Sequence, residues 1–364
     1  DYSIGGGKIS VLPNSTRTIT VVTNSFRVPG SALGCFGLPV RDGAQPKECN
    51  PMTHIKPKGS FVALITPMNN DGSIDLEGFR TLLQFHQDNG TEAVLIMGST
   101  GEVSMLSLEE KQLIVAETAK MKTGSLQLYY GCTANNTSAT IDLVRYAKNE
   151  GADGAIIAAP AYICASNSDI ADYVEEVCDT VDLPIGFYNN PPRVQTDLHW
   201  NEILRLAKHP NMVVLKESTA RVGQVAQVCA AKPDMAIMCC CSPNLGLVIP
   251  TMSLGGDGTA NMTGNIIPRE LAVISKKWQT GEDAFACREA YLTNLDMLHF
   301  AYSAINPVAV KSLMRAVGLP SGPLRKPLAP LTGGELQRGI EIAVRLGLDQ
   351  IYGYKLKTPQ SVAA

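Results

Sequence analysis

A lysine closes the run Met212-Val213-Val214-Leu215-Lys216-Glu217-Ser218. Four apolar residues, two of them β-branched, stand between Pro210-Asn211 and Ser218-Thr219, which reads as a strand buried on both faces. Lysine is rarely buried without a partner or a role. One reading is an amine whose pKa is lowered by burial and which attacks a carbonyl to form a Schiff base. The other is that Lys216 simply leaves the strand for solvent.

Further groups bear on the choice. Gly98-Ser99-Thr100-Gly101-Glu102 brackets two hydroxyls with two glycines. Backbone amides and side-chain oxygens of such a loop can close on a small carboxylate. Tyr162 follows Pro160-Ala161, and Tyr188 opens Tyr188-Asn189-Asn190-Pro191-Pro192-Arg193. Taken singly, the loop is a common turn and each tyrosine a core aromatic. Together they supply a nucleophilic amine, two phenols able to shuttle protons, hydroxyls and a guanidinium, a set suited to imine chemistry on a keto acid.

These residues must be held by elements, and from Phe61 a rhythm of elements sets in. Strands are predicted over Phe61–Thr66, Ala93–Met97, Leu126–Tyr130, Gly154–Ala158, Pro184–Tyr188, Met212–Lys216, Met235–Cys239 and Gly258–Asn261. Helices are predicted between them, the first over Leu76–Asp88, the second opened by a Ser107/Glu110 capping box. Alternating strands and helices imply a parallel sheet, and eight alternations favour a closed (β/α)8 TIM barrel over an open doubly wound sheet. In such barrels function collects after the carboxyl ends of the strands, where the residues above fall. The remaining chain reads as helical: the eighth barrel helix, then helices near Asp283–Phe300, Pro307–Val317 and Gly334–Arg345. The expected organisation is an extension over 1–56, the barrel over 57–279, and a C-terminal helical region and tail over 280–364.

Residues 1–56 carry Gly5-Gly6-Gly7, scattered hydroxyls and few acids, with Ile19–Val22 as one isolated strand candidate. They read as a leader or disordered arm, with a targeting peptide as the alternative; the apolar core of a secretory signal is missing. The 364 residues are 45% hydrophobic and 18% charged, with net charge −3. A sizeable core follows, nucleic acid is not the expected partner, and no apolar stretch reaches the length of a membrane span. Ten cysteines include the consecutive Cys239-Cys240-Cys241, without C-x-x-C spacing or a nearby histidine. They read as reduced core residues of a cytoplasmic protein rather than as zinc ligands.

Five motifs in order make the chain resemble the dihydrodipicolinate synthase / N-acetylneuraminate lyase family of class I, pyruvate-dependent aldolases. They are Gly98-Ser99-Thr100-Gly101-Glu102, Tyr188-Asn189-Asn190-Pro191, Lys216-Glu217-Ser218, Leu254-Gly255-Gly256-Asp257-Gly258 and Asn306-Pro307-Val308-Ala309-Val310-Lys311. The resemblance spans about Gly59 to Leu348. It implies that Lys216 condenses with pyruvate, that Tyr188 moves protons above the imine, and that Ser99 links Tyr188 to Tyr162. It implies that Thr100, with amides of the Gly98–Gly101 loop, holds the pyruvate carboxylate, and that Ala260 lines the pyruvate site. It implies that Arg193 meets the carboxylate of a second substrate, which favours condensation with L-aspartate 4-semialdehyde toward 4-hydroxy-tetrahydrodipicolinate. It further implies a homotetramer built as a dimer of dimers, in which Tyr162 serves a neighbour's site, and no cofactor or metal beyond the lysine imine. Arg193-Val194-Gln195, Ser242-Pro243-Asn244 and Val103 depart from the family pattern. An aldolase cleaving a 4-hydroxy-2-keto acid or sugar acid stays open as the alternative, as does a catalytically silent barrel.

Overall fold

The computed structural model describes residues 54–355; the strand candidate Ile19–Val22 lies outside them. Strands and helices alternate as β1 (Gly59–Ala63), α1 (Leu76–Asp88), β2 (Ala93–Ile96), α2 (Leu108–Lys120), β3 (Gln127–Gly131), α3 (Thr137–Asn149), β4 (Gly154–Ala158) and α4 (Asn167–Thr180). They continue as β5 (Ile185–Asn189), α5 (Pro191–Val194), α6 (Trp200–Leu206), β6 (Met212–Glu217), α7 (Val222–Ala230), β7 (Ala236–Cys240), α8 (Val248–Ser253), β8 (Gly258–Asn261) and α9 (Pro268–Ser275). Each strand pairs in parallel with the next, and β1 pairs with β8, which closes the barrel. The open-sheet alternative is thereby excluded.

Local chemistry explains the elements. Asp75 caps α1 by accepting from the Gly78 amide, and Phe79, Leu82 and Leu83 bury its inner face. At α2 the Ser107 and Glu110 side chains satisfy each other's backbone amides, as the sequence predicts. The strands are buried on both faces, in the manner of parallel barrels. Because side chains alternate along a strand, Phe61, Tyr129, Ile156, Val214, Met238 and Ala260 fill the barrel interior. On β6 a register shift against β5 interrupts the alternation, and Val213 joins Val214 in the interior.

Several boundaries differ from the sequence reading. β1 covers Gly59–Ala63 rather than Phe61–Thr66. Past its end the Leu64 amide still bonds Leu95, but that of Ile65 turns to Asn265 Oδ1. The helix expected over Asp283–Phe300 is two helices, α10 (Gly281–Thr293) and α11 (Leu295–Ala301). Asn294 breaks them, folding its side-chain and backbone amides onto the Ala290 carbonyl. After α12 (Val308–Ala316) and α13 (Gly333–Arg345) comes α14 (Leu348–Tyr352), which, like α5, the sequence does not predict. Both are single turns, too short to carry a helical period. Of the C-terminal helices, α11 and α12 pack over the turns that follow β7 and β8, at the carboxyl end of the barrel, and α13 packs on both. Among the described residues no helix is long and apolar enough to cross a membrane.

Candidate active site

Period-two alternation decides where Lys216 points. It shares a face with Val214, so it enters the barrel and is 3% exposed. Its neighbour Glu217 points the other way and is held by Asn189 Nδ2 (3.2 Å), Gln224 Nε2 (3.1 Å) and the Thr219 amide (2.7 Å). One residue of the Lys-Glu pair therefore faces the cavity and the other braces the strand. Burial lowers the Lys216 amine from 10.5 to about 8. Solvent exit of Lys216 is ruled out by this placement.

The β5–β6 register sets Tyr188 directly beside Lys216. The amine lies 4.1 Å from the centroid of the Tyr188 ring. Burial raises the phenol, so Tyr188 stays protonated near neutrality, and its hydroxyl accepts a hydrogen bond from Asn190 Nδ2.

The loop after β2 forms the facing wall. Gly101 and Glu102 donate back to the Gly98 and Ser99 carbonyls at 3.0 and 3.2 Å, winding the loop into a tight turn. A Cβ on Gly101 would sit 3.1 Å from the Met97 amide nitrogen, which explains the glycine. Gly98 and Gly101 shape the turn, whereas Ser99 and Thr100 line the cavity. Asn306, from the turn before α12, donates to Thr100 Oγ1 at 3.0 Å and to Ser99 Oγ at 3.4 Å. Its carbonyl accepts from Arg193 Nη2 at 3.4 Å, and its own Oδ1 is buried without a partner. The cavity so enclosed measures about 320 Å³ and includes Lys216, Tyr188, Arg193 and Ala260.

Tyr162 is not among these residues. It stands in the loop after β4, 98% exposed, at the left-handed φ of 76°. Within one chain the Ser99–Tyr188–Tyr162 relay is not formed: Ser99 and Tyr188 bond Asn306 and Asn190 instead. The cavity also contains Cys240, Tyr302, Ser218 and Asn306, which sequence reasoning did not place there. Asn306 carried a signal in its Asn-Pro motif, and Cys240 in its alternation with Met238. Cys164 is exposed and Cys229 half-buried, so these two correct the reading of the cysteines as core residues; the other six described are buried.

A closed parallel barrel that presents a buried, pKa-lowered amine at the carboxyl end of a strand has the build of a barrel enzyme using lysine chemistry. More narrowly, the chain belongs to the dihydrodipicolinate synthetase family, whose model matches residues 56–343. It is 32% identical over 302 residues to 4-hydroxy-tetrahydrodipicolinate synthase of Nitrosospira multiformis, covering 82% of this chain and 98% of that protein. It is 34% identical over 297 residues to the enzyme of the same name from Gluconacetobacter diazotrophicus, covering 80% and 97%. The crystal structure of dihydrodipicolinate synthase from Aquifex aeolicus superposes with a TM-score of 0.74 at 29% identity, covering 80% of this chain and 98% of that one.

Proposed function

We propose that the protein condenses pyruvate with L-aspartate 4-semialdehyde to 4-hydroxy-tetrahydrodipicolinate, in lysine biosynthesis, through an imine on Lys216. The names of its relatives support the reaction. The observation that carries it is the burial of Lys216 beside the Tyr188 ring. In the neutral form Nζ attacks the keto carbon of pyruvate, and the resulting hydroxyl leaves as water once protonated. Tyr188, a protonated phenol against the amine, is placed to pass that proton. The protonated imine then acts as electron sink for loss of a C3 proton, so the enamine forms with no group other than the protein's own amine.

Thr100 and the loop amides hold the pyruvate carboxylate, Gly98 and Gly101 giving the loop its shape, Ser99 links Tyr188 to Tyr162, and Ala260 leaves room against the methyl. Arg193 offers its fork to the carboxylate of the aldehyde substrate. The unpartnered Asn306 Oδ1 suits that substrate's ammonium group. The working form is an oligomer, a homotetramer by family resemblance, in which the exposed Tyr162 enters a neighbour's cavity. Such placement explains an aromatic ring held in solvent at a costly φ.

Borohydride reduction in the presence of pyruvate tests the imine. Wild-type protein should gain the mass of a reduced pyruvyl group, and Lys216→Ala should not. A coupled assay with L-aspartate 4-semialdehyde, set against a panel of 2-keto-acid aldols, then tests the second substrate. Trapping without turnover of the semialdehyde would move the assignment to the aldol-cleaving alternative.

A further inference from the structure

Tyr302, just beyond the end of α11, lines the wall of the same cavity. Its hydroxyl lies 3.1 Å from Cys240 Sγ and 3.3 Å from Cys241 Sγ. Among the described residues these two sulfurs are its hydrogen-bond partners. Thiols are weak donors and weak acceptors, so they hold the phenol in position without satisfying it. Burial holds the Tyr302 phenol well above its usual range, which keeps the O–H intact as a donor.

The height of this group in the barrel matters. Met238 pairs with Lys216 across the β6–β7 register, and Cys240 lies two residues further along β7 on the same face. That places the thiol, and the phenol against it, about 6–7 Å along the strand toward the mouth of the barrel. The first substrate occupies the lower layer, with its keto carbon on Lys216 and its carboxylate on Thr100 and the loop amides. The layer above is where an electrophile must arrive once the enamine has formed.

We infer that Tyr302 donates a hydrogen bond to the carbonyl oxygen of the incoming aldehyde, and that the two thiols keep this donor oriented but available. The inference rests on the imine reading above. As the enamine carbon joins the aldehyde carbon, the carbonyl electron pair moves to oxygen and the nitrogen returns to iminium. The oxygen takes up the equivalent of the proton lost from C3 and becomes a hydroxyl. A donor already aimed at that oxygen stabilises the charge as it develops.

Two variants test the inference, each read in steady-state turnover and in borohydride trapping. Tyr302→Phe keeps the ring and removes the donor. It should lower kcat/KM for the aldehyde about tenfold, the range of one hydrogen bond. The pyruvate concentration that half-saturates trapping should move less than about twofold, since the lower layer is untouched. Cys240→Ser puts a stronger acceptor against the phenol, which should occupy the donor and lower aldehyde kcat/KM severalfold, again sparing trapping. A purely structural cluster predicts the reverse, because serine would bind the phenol better than cysteine does. Wild-type aldehyde kcat/KM in Tyr302→Phe would overturn the inference, as would equal losses in aldehyde use and trapping. Wild-type or improved aldehyde use in Cys240→Ser would overturn the role of the thiols. Failure of the wild-type protein to trap pyruvate would instead sink the imine reading, and this inference with it.

Discussion

At the scale of single residues, the decisive quantity is the fraction of Lys216 present as free amine. With its pKa lowered to about 8 by burial, roughly one molecule in ten carries the neutral nucleophile at pH 7, against fewer than one in a thousand for an unperturbed lysine. The sign is fixed by the base: in the proposed reaction protonation removes the nucleophile, so imine formation should be slow below pH 8 and rise as pH rises. Single-turnover trapping with saturating pyruvate should show a rate that climbs about tenfold per pH unit below 8 and levels above it. A rate still climbing at pH 10 would mean that the amine titrates as if in water. Burial also makes this lysine a stability liability at neutral pH, because the native state must hold an ammonium where water is scarce. Between about pH 8 and 10.5 the unfolded chain binds more protons than the folded one, so stability gains from this group as pH rises through that window.

At the scale of elements, the loop that carries Ser99 and Thr100 is braced from behind. Glu102, at a φ of 58°, turns a wholly buried side chain away from the cavity toward α12. There Lys311 Nζ meets its Oε1 at 2.6 Å, and the Arg325 amide meets its Oε2 at 2.8 Å. Thr66 Oγ1 adds a bond to the Gly101 carbonyl at 2.7 Å. A buried ion pair adds little net stability, yet removing one member strands the other's charge at a cost of about 3–5 kcal/mol. Lys311→Met should therefore lower unfolding free energy by about that much in urea titrations, and raise KM for pyruvate through the loosened loop. Pairing it with Glu102→Gln removes the stranded charge while keeping an acceptor for the Arg325 amide, and most of the loss should return. A double variant as unstable as Lys311→Met alone would show that the charge is not what matters. The same elements explain what the sequence makes legible. Short, mostly apolar runs between turn residues mark seven of the strands, whereas β8, Gly258-Thr259-Ala260-Asn261, is marked by the glycine turn before it. Period two puts Lys216 on the face of Val214, and only barrel closure shows that this face is the inner one. Asn306 and Tyr302 escape such counting because their direction depends on how α11 and α12 dock over the turns after β7 and β8, more than forty residues from β8 in the case of Asn306. The Asn294 break escapes it too, since neither glycine nor proline announces it.

At the scale of the whole molecule, the Tyr162 ring is the group that a single chain does not use. A single chain leaves it in solvent, with Ile163 beside it 56% exposed, and with Leu108 and Leu113 of α2 57% and 43% exposed. Apolar groups left uncovered in this way suit contact with a second copy. If Tyr162 completes the neighbour's site, then each site takes Lys216 from one chain and the phenol from another. The consequence is intersubunit complementation. Lys216→Ala subunits keep a normal Tyr162 but have no nucleophile. Tyr162→Phe subunits keep the nucleophile but lend no phenol, and their turnover should fall by a factor of about 10²–10⁴, the range for a lost proton-transfer group. Mixed by partial denaturation and refolding, the two nearly inactive proteins should form hybrids in which one site regains both groups. Turnover should then rise well above the sum of the separate parents. A phenol serving its own chain gives no such recovery at any mixing ratio, because no hybrid would reunite it with Lys216. Sedimentation of the mixture must show hybrids of unchanged size, so that recovered activity reports shared sites and not a new assembly.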